Sequence, residues 1–122
     1  MEQRPTYRAG FALDITLGVM IDPHLWKIWG IAETTLKDAR RYVVEAAGEA
    51  LTDEDKSSLN QFDEYVAHNE FGLALEEMAS LGSGHAPKAA FWKRLEAVAE
   101  AMELPEAASI YREKFFAEVH RQ

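Results

Sequence analysis

Apolar residues in the middle of the chain recur at three- and four-residue spacing, which predicts helices. Leu59, Phe62 and Val66, with Tyr65 beside them, fall on one face of a first helix; Phe71, Ala74, Leu75, Met78 and Leu81 form the stripe of a second. Thr52 followed by Asp55 has capping-box spacing, and Asp53 and Glu54 place negative charge at the electropositive start of the first helix. Asn69-Glu70 is a turn signal between the stripes, and Gly82, Gly84 and Pro87 mark the exit from the second. The pattern predicts a helical hairpin over 52–82. Gly72 is the predicted structural turn residue, letting the two backbones approach closely.

A second hairpin is predicted over 87–120. Pro87 suits a first helical turn, Phe91, Leu95, Val98 and Met102 continue as a stripe, and Pro105 opens a last helix carrying Ile110, Tyr111, Phe115 and Val119. A shift of 33 positions lays Leu59 on Trp92, Phe62 on Leu95 and Met78 on Tyr111. The same shift fails further back, where Glu33 and Asp38 stand in for Val66 and Phe71, so two stacked hairpins in one globule are expected rather than a repeat array.

Before residue 52, Asp22-Pro23 looks like a helix start, and Leu25, Trp26, Trp29, Leu36, Ala39, Tyr42 and Val43 suit one or two helices interrupted near Gly30. Phe11, Leu13, Ile15, Leu17, Val19 and Ile21 alternate as in a strand, but no second run could pair with them. Residues 7–22 therefore read as a buried helix, with a minor N-terminal strand as the other reading. The expected fold is all-α: one domain over 1–122 with five or six helices.

Composition narrows function more than fold. The chain has 122 residues, 48% of them hydrophobic, as expected of one globular domain. Without cysteine it has neither a disulfide framework nor a thiolate nucleophile, and with no export segment or membrane-length apolar run a cytoplasmic location is expected. The net charge of −8 argues against nucleic acid as a partner. That charge is concentrated: between Glu45 and Glu77 ten acidic residues face one basic residue, Lys56, a net −9 that leaves the remainder at +1.

Catalytic constellations are hard to find. His24, His68, His85 and His120 lack partners at the spacing of a helical metal motif, so no metal is expected. Gly82-Ser83-Gly84-His85 has neither the spacing nor the lysine of a phosphate loop and reads as a linker. Ser57, Ser58 and Ser109 have no evident base, and adjacent acids such as Asp63-Glu64 and Glu76-Glu77 read as solvated charge. Trp26, Trp29, Phe91, Trp92, Phe115 and Phe116 are assigned to packing. Neither enzyme nor cofactor chemistry is expected.

If both hairpin helices bury their stripes, Asp55, Asp63, Glu64, Glu70, Glu76 and Glu77 project away from the core as an anionic surface suited to a basic protein. The run from Asp63 to Met78, with its Glu70-Phe71-Gly72 turn and following Ala74-Leu75, resembles the core of MafI-type immunity proteins, small helical antidotes to bacterial polymorphic toxins. Leu51-Thr52-Asp53-Glu54-Asp55 resembles their lead-in, and the likeness spans residues 51–82. It implies a protein that neutralises a cognate toxin, such as a nuclease with a basic substrate-binding surface. A tetratricopeptide-like adaptor holding a peptide or protein is the competing expectation.

Overall fold

The computed structural model describes residues 23–121, and every regular element among them is helical. The first described helix is α1 (Pro23–Ala47). Instead of interrupting this segment as expected, Gly30 lies inside the continuous 25-residue helix. Its site is exposed, so the intrinsic cost of an interior glycine, about 1 kcal/mol, is all it imposes. Ala32, Leu36, Ala39 and Val43 line one face of α1, each 0% exposed. The two alanines keep that face narrow enough for two other helices to approach.

A 3₁₀ turn (Gly48–Ala50) leads to α2 (Asp53–Ala67), which starts where the capping box predicts. The Thr52 hydroxyl accepts from the Asp55 N–H at 3.0 Å, and the Asp55 carboxylate accepts from the Thr52 N–H at 3.0 Å. Helices α3 (Phe71–His85), α4 (Ala89–Ala101) and α5 (Pro105–Arg121) follow. They are joined by three-residue connectors, each with one residue at positive φ: Asn69 at 58°, Ala86 at 46° and Glu103 at 59°. The connectors after α2 and α4 close with the same hydrogen bonds. Glu70 N–H reaches Tyr65 O and Leu104 N–H reaches Ala99 O, both at 2.8 Å, which satisfies carbonyls the helix ends would otherwise leave unpaired.

Helix α2 packs on α3 and α4 on α5, giving the two expected hairpins, but the hairpins meet mainly through α1. That helix lies against both α3 and α4, whose direct contact is slight. Phe62, Phe71, Met78, Phe91 and Leu95 complete a single core around the α1 stripe. No helix among the described residues is long and apolar enough to cross a membrane. The alternating segment within residues 7–22 lies outside the described residues.

Several local expectations are corrected. Gly82-Ser83-Gly84-His85 is the last turn of α3 rather than a linker, because Gly82 is buried against α4 and holds the helix in place. A Cβ on Gly82 would lie 2.3 Å from the Phe91 ring, which is itself fully buried and edge-on to Trp92 at 4.8 Å. Close approach therefore belongs to Gly82. Gly72 sits inside the first turn of α3, where an added Cβ would meet no atom within 4 Å, and Asn69 takes the left-handed turn. In the last helix Tyr111 is buried and Phe115 packs on the core as expected, whereas Ile110 and Val119 are 52% and 42% exposed and Ala108 is buried instead. Trp26 and Phe116, assigned to packing, are likewise exposed.

These glycines should behave in opposite ways. Gly82→Ala is expected to lose about 1–3 kcal/mol in denaturant unfolding through overpacking against Phe91. Gly72→Ala should be neutral or gain up to about 1 kcal/mol, because it adds helix propensity in open space.

Candidate partner-binding surface

Charge on this protein divides into groups used internally and groups left over. Asp55 belongs to the first class. Besides capping α2, it takes a 2.9 Å contact from His85 Nε2 at the end of α3, which ties together the open end of the hairpin. The Thr52 N–H bond, with the Thr52 hydroxyl and His85 adding to it, holds its carboxyl below the ordinary value against the opposing effect of burial. Asp63 is likewise engaged: Arg40 of α1 meets it with Nε and Nη2, both at 2.9 Å, a fork-to-fork pair that joins α1 to α2.

Asp38 of α1 is gripped by Arg94 of α4 at 2.7 Å and by its neighbour Arg41, and these two guanidiniums hold its carboxyl below the usual range. Glu96 of α4 is the most deeply buried acid among the described residues, at 4% exposure. Burial pushes its carboxyl up, but Arg112 of α5 at 2.7 Å and Lys93 at 3.2 Å outweigh that, and the net shift is downward. Arg112 also reaches Glu100 at 3.1 Å. With Arg121 on Glu118, all five arginines among the described residues are paired with carboxylates. The strongest cations are thus matched to the protein's own carboxylates.

Of the six acids expected to meet a partner, Asp55 and Asp63 are therefore structural clamps. Glu64, Glu70, Glu76 and Glu77 have no ion-pair partner among the described residues; the first three are exposed and Glu77 is half-buried. Glu64 lies on the outer face of α2, Glu70 precedes α3, and Glu76 and Glu77 lie on α3. They do not converge on one point.

The structure adds a feature that helical spacing does not reveal. Glu76 stands on the rim of a cleft of about 400 Å³ between α3 and the start of α5, with Glu106 on the other helix. Leu75, Ala107 and Tyr111 form its apolar lining, and Gly72 and Leu104 lie at its margin. Tyr111 is stacked against Trp92 of α4, 6.1 Å between centroids, and is 7% exposed. Burial raises its phenol above the ordinary value, with Glu76 adding to the effect. In sequence Tyr111 is one member of a core stripe, and only the approach of α3 to α5 makes it part of a cleft.

No three histidines, cysteines, aspartates or glutamates among the described residues cluster as metal ligands would. Comparison with protein-family models, curated proteins and solved structures finds no match to the chain.

The internal carboxylates should make stability fall in acid. Asp38, Asp55 and Glu96 titrate lower in the folded chain than unfolded, so the unfolded state takes up protons first as the pH drops. Their contribution is present above about pH 5 and is lost as the pH falls through the folded-state values. Glu96→Gln is expected to cost about 2 kcal/mol at neutral pH and to flatten the loss below about pH 5, measured by urea unfolding across pH.

Proposed function

We propose that the chain is an immunity-type protein that binds and neutralises a basic protein toxin through the outward acidic faces of α2 and α3. The observation that carries this reading is the division of charge. The arginines are consumed by internal pairs, while Glu64, Glu70, Glu76 and Glu77 are left without one. An inhibitor needs no reacting group. It needs rapid encounter, which unpaired surface charge supplies by steering, and a tight contact once docked.

A nuclease-like toxin suits this surface because a substrate site for nucleic acid must itself be basic. The resemblance over residues 51–82 points to the same class. The adaptor alternative depends on hairpins stacking on one another, whereas here α1 is the main element between them.

The decisive genetic test is co-expression with the product of the adjacent reading frame. Rescue from its toxicity is expected, and a harmless neighbour, or a toxic one left unrelieved, would overturn the reading. In solution, reversing Glu64, Glu70, Glu76 and Glu77 together to Lys should slow association with that toxin about ten-fold or more at low salt and flatten its salt dependence. Asp63→Lys should instead lower the melting temperature by breaking the α1–α2 pair. A wild-type association rate for the fourfold variant would move the contact away from this face.

A further inference from the structure

Four features of the α3–α5 cleft select one kind of occupant. Its rim carries two carboxylates, Glu76 and Glu106, neither of which has an ion-pair partner among the described residues. The lining between them is apolar, so a long side chain could lie along it while its charged end reaches the rim. Tyr111 is more than nine-tenths buried, yet its hydroxyl makes no hydrogen bond among the described residues, an oxygen that a donor entering the cleft would satisfy. Finally, Gly72 presents no side chain where one would narrow the entrance.

We propose that this cleft is a receptor for a single arginine side chain displayed by the protein partner, with its guanidinium between Glu76 and Glu106 and its stem along Leu75, Ala107 and Tyr111. The proposal rests on the partner reading above and names the chemistry by which that partner is anchored. Arginine fits better than lysine for two physical reasons. Its planar fork can donate to two carboxylates and the phenol oxygen together, and it gives up hydration more readily on an apolar, aromatic lining. Such a side chain, desolvated in a pocket and ringed by weaker contacts, is the usual form of an interface anchor.

The probe is a blocked Gly-Gly-Arg-Gly-Gly peptide, titrated at roughly millimolar concentration and low salt into the ¹⁵N-labelled full chain, with the lysine counterpart in parallel. Saturable shifts centred on Gly72, Leu75, Ala107 and Tyr111 are expected for the arginine peptide. They should weaken about five-fold or more in Glu76→Gln/Glu106→Gln and in Gly72→Leu, whose added side chain closes the entrance, and less in Tyr111→Phe. Glu49→Gln/Glu54→Gln, at and before the start of α2 and outside the cleft lining, should leave them unchanged. Shifts spread over all acidic faces, equal binding of the lysine peptide, or undiminished binding by the double variant would each overturn the proposal. The two readings fail separately. A toxin bound at wild-type affinity by Gly72→Leu would remove the cleft and leave the immunity function, whereas cleft binding by a chain that rescues no toxin would remove the function and leave the arginine receptor.

Discussion

Both hairpins rest on one stripe of α1. Ala32, Leu36, Ala39 and Val43 are fully buried, and the element that carries them packs against both α3 and α4, one helix from each hairpin. A fully buried Leu or Val contributes about 1.5–3 kcal/mol, but the position of these side chains matters more than their sum. They lie where two otherwise separate hairpins converge, so a fault there would unseat both. The alanines matter as much as the larger residues, since a bulkier side chain at 32 or 39 would push α3 and α4 outward.

The ion pairs follow the same geometry. Arg40–Asp63 fastens α1 to α2 and Arg94–Asp38 fastens α4 to α1, while Arg112 on Glu96 and Glu100 closes α5 onto α4. Each joins different helices, so each fixes an orientation that apolar packing alone would leave looser. Using the arginines this way has an electrostatic result. Every arginine among the described residues is matched to a carboxylate, so the unmatched acids of the long acidic stretch are left to set the character of the outward faces of α2 and α3.

What can be read in the sequence is what is decided within a few residues. The Thr52–Asp55 box, the Asn69 turn, and the opening at Pro105 are local, and all appear where expected. What cannot be read depends on a second helix. Asp63 looks free because Arg40 is 23 residues away, and Asp55 because His85 is 30 away. Gly72 and Gly82 look alike in sequence, and only the Phe91 ring shows which one is needed. Likewise α5 carries apolar residues on more than one face, so spacing finds Tyr111 and Phe115 but misses Ala108 and also includes Ile110 and Val119, which stay exposed.

The three connectors constrain how such a protein can change over generations. Each is three residues long and turns through one left-handed position, so an inserted or deleted residue cannot be absorbed as loop slack. It would rotate the following helix by about 100° and carry its buried stripe into water. Divergence between copies of this gene should therefore run through substitutions on the outward faces, with lengths held fixed from Thr52 to the end of α5. A lineage could then exchange one partner for another by rewriting surface charges while its hairpins keep their register.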